Sequence, residues 1–239
     1  NFEAVQDKGA ARVARVAAEE RVGRLVHISA IGADPESDSI YGRTKAAGEA
    51  AIREHFPGAV ILRPSVIFGP DDQFFNRFAN MTRFGPVLPV IGAKTKFQPV
   101  YVDDVAKAAT HGVLGKAEPG IYELGGPDVD TFRDLMVQML AIIRRRRIVM
   151  NIPFWLGRIM GVAFDALNAI TVGLVKGPVT LDQVKSLARD NVVSGETKTF
   201  RDLGITPTSL ESVLPEYLWR FRPSGQYAAM KESAGRLKP

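Results

Sequence analysis

Tyr41 and Lys45, in the stretch Tyr41-Gly42-Arg43-Thr44-Lys45, are the residues of this chain whose types and spacing suit proton chemistry. Four residues apart on a helix, both side chains lie on one face. A phenol titrates near pH 10, too high for easy proton transfer at neutral pH, but an adjacent ammonium favours the phenolate and lowers that value. The pair can then act as a general acid or base, and the ammonium can also bond the hydroxyls of a ribose. The same spacing also fits an exposed helix start with no chemistry, so context has to decide.

Other titratable groups carry less. His27 lies within an apolar run and reads as a satisfied core histidine. His55 and His111 have no partners at metal-ligand spacing, and no metal is expected. In Asp103-Asp104 the expectation is one helix cap beside a surface carboxylate, and Asp71-Asp72 after Gly69-Pro70 reads the same way. Gly125-Gly126-Pro127 reads as a turn, since no Lys-Ser/Thr follows to make a phosphate cradle.

The elements that must position the pair follow from periodicity. Val5, Val13, Val16 and Ala17 among charged residues give helical spacing that Gly23 stops. Arg24 to Ser29 reads as a buried parallel strand, Tyr41 to His55 as a helix ended by Pro57-Gly58, and Ala59 to Leu62 as another buried strand. That alternation predicts a doubly wound parallel sheet with right-handed crossovers. Further on, the sequence predicts a helix through Phe74, Phe75, Phe78 and Met81 that ends near Gly85-Pro86, a strand from Phe97 to Val102, and a helix to Leu114. A strand at Ile121–Leu124, a helix from Phe132 to Ile143 and a strand from Ile148 to Ile152 follow, with mostly helix beyond Pro153. Ligands of open α/β sheets sit at the carboxyl ends of the strands. Ser29, the start of the Tyr41 helix and the Arg63-Pro64-Ser65 turn should all lie at that edge.

With these pieces in order, the sequence resembles the extended and atypical short-chain dehydrogenase/reductases. The matching stretches are His27-Ile28-Ser29-Ala30, Tyr41 to Lys45, Leu62 to Pro70, Pro99 to Val105 and Tyr122 to Pro127. Within that group it is most similar to the NAD(P)H-binding accessory subunit of respiratory complex I and its bacterial relatives. Phe74 to Ala79 with Arg83 to Pro86, Gln98 to Val102, Thr180 to Val184, Asp190 to Val193 and Asp202 to Ile205 carry that likeness. The resemblance implies that Tyr41 and Lys45 face the nicotinamide ribose of NAD or NADP, and that Ile28, Ser29, Pro64, Ser65, Val66 and Ile67 line the nicotinamide end. Tyr41, Lys45 and Ser29 are the catalytic candidates. Two departures follow. The hydroxyl that polarises a substrate carbonyl belongs one or two places past Ser29, where Ala30 and Ile31 stand, which argues against turnover. The Gly-rich phosphate-binding turn is also missing, and Asn1-Phe2-Glu3 opens inside an amphipathic pattern, with Asn1 where such families place an Asn. The expectation is an N-terminally incomplete chain that binds dinucleotide weakly or not at all, cut from a parent that binds it.

The stretch 144–176 is informative in a different way. Arg144-Arg145-Arg146-Arg147 precedes an apolar helix opening at Pro153-Phe154-Trp155-Leu156, whose polar residues Arg158, Asp165 and Asn168 fall in one narrow stripe. Charges at such places disfavour a membrane span. A helix lying in a membrane interface, packed on a partner subunit, or covering its own lobe core remains. The arginines suit anionic headgroups or a solvated helix end. The absence of cysteine excludes disulfides, thiolate nucleophiles and Cys-ligated metals. A net charge of +5 without aromatic-interleaved basic patches makes nucleic acid an unexpected partner.

The expected architecture is therefore α/β: residues 1–125 as the C-terminal half of a Rossmann-like domain lacking its first strands, with a lobe insertion at about 71–97, and residues 126–239 as a small, mainly helical lobe. Three functions fit. The first is an NAD(P)H-binding subunit of complex I or its bacterial homologue, the nucleotide structural or regulatory, on the cytoplasmic face of the bacterial inner membrane or in the cytoplasm, or on the matrix side of mitochondria. The second is a free-standing oxidoreductase or nucleotide-sugar epimerase using Tyr41 and Lys45. The third is a membrane-associated assembly factor with no nucleotide.

Overall fold

The structure, a computed structural model, describes residues 2–171, 174, 177–223 and 225–227. Asn1, four residues of the stretch 144–176, Ser224 and the chain beyond 227 lie outside them. A short π-helical turn leads into helix α1 (Lys8–Glu19), followed by strand β1 (Val26–Ile28), helix α2 (Ile40–His55), strand β2 (Val60–Pro64), strand β3 (Ile67–Phe68) and helix α3 (Phe75–Met81). Strands β4 (Val87–Ile91), β5 (Lys96–Phe97) and β6 (Val100–Tyr101) precede helix α4 (Val102–Val113) and strand β7 (Gly120–Leu124). Then come strand β8 (Asp130–Thr131), helix α5 (Phe132–Ile142), strand β9 (Ile148–Ile152) and helices α6 (Phe154–Ile170), α7 (Leu181–Ser186) and α8 (Leu210–Leu218).

The centre is a parallel sheet in the order β1-β2-β7, with Val26 beside Val60 and Val60 beside Gly120. Alternation along the strands assigns the two faces. Val60, Leu62, Tyr122 and Leu124 pack with Val105 and Ala108 of α4, while Ile61 packs with Ala14 of α1 and Ile52 of α2. The second face carries its polar residues at the carboxyl ends of the strands. Arg63, two residues beyond Ile61, therefore points at α2. Helix α2 and the π-helical turn before α1 approach closely: a Cβ at Gly48 would stand 2.2 Å from the Gln6 carbonyl oxygen.

The second core belongs to the lobe. Phe75 of α3, Leu88 and Val90 of β4, Phe132, Leu135, Met136 and Met139 of α5 and Val149 of β9 pack with Leu210, Val213, Leu214, Tyr217 and Leu218 of α8. Strands β4 and β9 pair in parallel from Val87–Ile148 to Ile91–Ile152. Two arginines of the basic block tie this lobe together, Arg145 donating to the Phe221 carbonyl at 2.9 Å and Arg147 to that of Thr82 at 2.9 Å.

Three local expectations are corrected. The single strand from Phe97 to Val102 is two, because β5 pairs antiparallel with β8 and β6 pairs parallel with β3. Pro99, which has no N–H to give a ladder, stands at the switch. Neither Asp103 nor Asp104 caps α4: its N-cap is Tyr101 without a side-chain bond. Asp104 is fully buried, pairing with Lys107 at 2.8 Å and accepting the Thr208 backbone N–H at 2.6 Å. Burial opposes its ionisation, yet these partners outweigh it and hold the carboxyl below its usual range. His27 is not a satisfied core residue: its Nε2 is buried with no partner among the described residues, and burial pushes the imidazole pKa down.

Candidate functional site

Helix α2 begins at the carboxyl edge of the sheet because Ser39 caps it, its hydroxyl accepting the Gly42 N–H at 3.0 Å. A carboxylate from the lobe adds to that cap. Asp182 of α7 accepts the Ile40 N–H at 2.5 Å and the Tyr41 N–H at 3.2 Å, the kind of anion a helix N-terminus favours. The lobe thereby fixes the turn that carries Tyr41.

One turn on, Lys45 Nζ donates to the Ile28 carbonyl at 3.1 Å, where β1 ends. The ammonium lies 5.9 Å from the centroid of the Tyr41 ring, which also makes a T-shaped pair with Phe2 at 5.8 Å. Tyr41, Lys45 and Ile28 are thus brought together. The phenol hydroxyl has no hydrogen-bond partner among the described residues, and the ammonium keeps donors to spare. The spacing predicts a phenol lowered by its neighbour, but burial instead raises the Tyr41 pKa and lowers that of Lys45. The cause is placement: the ammonium reaches to the strand end rather than to the phenol oxygen.

Ser29 sits beside this pair and is committed elsewhere. Its N–H continues the ladder to the Leu62 carbonyl at 2.7 Å, and its hydroxyl donates to Glu49 Oε1 at 2.5 Å. Glu49, 1% exposed, is held by Arg63 through two bonds of 2.8 and 2.6 Å, a bidentate fork. Arg63 also stands 3.7 Å from Glu123, whose other oxygen accepts the Ser194 N–H at 2.7 Å. The next strand end is closed in a similar way. Ser65 Oγ donates to Asn191 Oδ1 at 2.6 Å and the Val66 N–H to the same oxygen at 3.0 Å. Pro64 is buried at the end of β2, and Ile67 is half-buried in β3.

Sequence reasoning missed Glu49, Asn191 and Asp182 as builders of this edge. A signal for Glu49 was present: Tyr41, Lys45 and Glu49 recur every four residues on one face of α2. Gly125-Gly126 is a close-packed turn, since a Cβ at Gly126 would stand 2.0 Å from the Pro99 carbonyl oxygen. Asp72 works as a local cap, accepting the Phe74 and Asn76 N–H groups at 2.9 and 3.0 Å and the Tyr217 hydroxyl at 2.5 Å. Among the described residues no cluster of ligating side chains suits a metal ion.

A parallel sheet between helical layers, with a tyrosine and a lysine at its carboxyl edge, is the Rossmann-like arrangement of the short-chain dehydrogenase/reductases. Solved structures agree: dTDP-glucose 4,6-dehydratase from Bacillus anthracis, in complex with NAD, superimposes with a TM-score of 0.66 at 16% identity over 99% of this chain and 72% of that one. The chain belongs to the RmlD substrate binding domain family, which matches residues 1–144. It is 34% identical over 231 residues to NADH dehydrogenase (ubiquinone) 1 alpha subcomplex subunit 9, mitochondrial, of Arabidopsis thaliana, covering 94% of this chain and 58% of that protein. To the mitochondrial NADH-ubiquinone oxidoreductase 40 kDa subunit of Neurospora crassa it is 30% identical over 228 residues, covering 95% of this chain and 58% of that protein. The chain thus spans somewhat over half the length of these curated relatives.

Proposed function

We propose that this chain is part of an NAD(P)H-binding accessory subunit of respiratory complex I or of a bacterial counterpart, in which the nucleotide has a structural or regulatory role. The observation that carries the reading is the meeting of Lys45 with the Ile28 carbonyl beside Tyr41 at the carboxyl edge of a parallel sheet. Likeness to complex I subunits along nearly the whole chain supports it. In this reading residues 1–125 form the later half of the nucleotide domain and residues 126–239 the lobe. The subunit lies peripherally, on the matrix side in mitochondria or the cytoplasmic side in bacteria. No helix among the described residues is long and apolar enough to cross a membrane. The stretch 144–176 is the surface proposed to meet other subunits or the headgroup region, through the exposed residues Trp155, Ile159, Val162 and Ile170 of α6.

The residues present fit the ribose end of a dinucleotide better than a reacting centre. Lys45 has spare donors for vicinal hydroxyls, and the Tyr41 hydroxyl is unspent. Ile28, Pro64 and Ile67 offer backbone and apolar surface beside them. Ser29, Ser65 and the Val66 N–H are spent on Glu49 and Asn191, so these proposed contacts would act by shaping the edge. A bound nicotinamide would supply hydride chemistry. On the protein side, burial disfavours the Tyr41 phenolate, and Ala30 and Ile31 offer no hydroxyl to a carbonyl. A free-standing reductase or epimerase remains the second reading, favoured by the Tyr41/Lys45 pair itself.

The test is nucleotide release from the full-length protein in its native assembly. Denaturation should free close to one dinucleotide per subunit, and Lys45→Met should weaken its retention by about tenfold or more, the loss of charge-assisted hydrogen bonds. An assembly that releases no dinucleotide, or a variant that holds it as wild type does, refutes the reading. Steady oxidation of NADPH by the purified protein with a carbonyl substrate would favour the enzyme instead.

A further inference from the structure

The lobe contains a cavity of about 350 Å³ that the nucleotide reading does not use, between α3, β4, α5, α6 and the α7 segment. Its lining is sorted by polarity. Val90, Ile91 and Phe132 are buried at its base, and Phe74, Phe78 and Met160 stand half-buried around them. All four polar lining residues, Gln73, Arg77, Gln183 and Ser186, are exposed. An apolar floor under a polar rim matches an amphiphile whose chain goes in and whose head stays at the surface. Aromatic rings crowd the floor, with Phe74 stacked on Phe132 at 5.5 Å and Phe78 edge-on to Phe132 at 5.2 Å.

Arg77 gives the rim its sign. Among the described residues it is the one charged group in the lining and pairs with no carboxylate, and it donates to the Pro178 carbonyl. A guanidinium with unspent donors suits a carboxylate or phosphate head. Helix α6 gives the chain a route. Met160 faces the cavity, and the neighbouring Ile159 and Val162 are 59% and 54% exposed on the outer side of the same helix. Apolar surface therefore continues from the lobe's exterior to the cavity wall.

We infer that this cavity binds the alkyl chain of a single-chain anionic amphiphile, a fatty-acyl carboxylate in its simplest form, with the head at Arg77. The site is independent of the dinucleotide: it shares no lining residue with the Tyr41/Lys45 edge, so either assignment can fail without the other. Helix α7 links the two places, since Gln183 and Ser186 line the rim while Asp182 caps the Tyr41 helix.

The test titrates the intact protein with dansyl-undecanoate and follows its fluorescence as laurate displaces it. One saturable site is expected. Dodecyltrimethylammonium, of equal chain length but opposite charge, should displace it about tenfold less well, the worth of one charge-assisted contact. Val179→Trp, which fills the cavity from its wall, should weaken the probe about tenfold or more with an unchanged circular dichroism spectrum. Arg77→Ala, at an exposed position, should erase the preference for laurate over the cation, and it decides the matter even if the tryptophan variant fails to fold. No saturable signal, equal displacement by both heads, or wild-type selectivity in Arg77→Ala overturns the inference. Many weak copies of the probe per chain would overturn it too, as adsorption to the outer face of α6.

Discussion

The carboxyl edge of the sheet and the outer face of α6 invert the usual distribution of polarity in opposite directions. At the edge, Glu49 and Glu123 are buried, yet Ser29, Arg63 and Ser194 bond or pair with their oxygens. On α6, Trp155, Ile159 and Ile170 are 64%, 59% and 79% exposed, and nothing among the described residues covers them. Charge is tolerated inside because its partners are built in, and a half-made network would cost more than an apolar one. Apolar surface outside has no such internal remedy and marks contact with something else. The first region should govern folding, the second association.

Three substitutions break or sharpen that contrast. The largest effect should come from Arg63→Met, which leaves the Glu49 carboxylate buried without its fork; urea unfolding should show a loss of about 3–5 kcal/mol. A loss under about 1 kcal/mol would mean that the network is not what holds the edge. Next comes Asp104→Asn. Asp104 is another buried charge, and its folded pKa lies below the unfolded value near 4. Its contribution is therefore complete above that unfolded value and disappears as pH falls through the folded one. The amide should cost about 1–3 kcal/mol at neutral pH and flatten the acid limb of the stability curve. An unaltered acid limb would remove Asp104 from the account of pH stability. The smallest effect on folding should come from Ile159→Ser on α6, within about 0.5 kcal/mol, while co-sedimentation of the full-length protein with membranes falls. Unchanged sedimentation would place the contact surface elsewhere.

How much was legible depends on the range of the interaction. Helix α2 and strand β9 were readable to within a residue, because capping, periodicity and β-branched runs are local signals. Strand β4 was not, since Pro86 and Pro89 disguise a stretch that is a strand only because β9 pairs with it. The split between β5 and β6 was equally hidden, being set by which distant partner each segment meets. At the candidate site the sequence pointed to Tyr41 and Lys45 but not to their surroundings. Lys45 spends a bond on Ile28, Ser29 on Glu49 and Ser65 on Asn191, and the last of these joins residues 126 apart in the chain.

By itself the sequence determined the alternation of helix and strand, the parallel sheet and the position of a phenol and an ammonium on one helical face. The periodicity of helix and strand is local, set by side chains within a few residues of one another, and the parallel sheet follows from their alternation through the rules for connections between strands. Tertiary structure alone decided that Asp182 of the lobe holds the Tyr41 helix, that burial raises rather than lowers the phenol's pKa, and that the lobe encloses an apolar cavity. Desolvation and cavity shape belong to no single residue, and they exist only once distant segments have excluded water together.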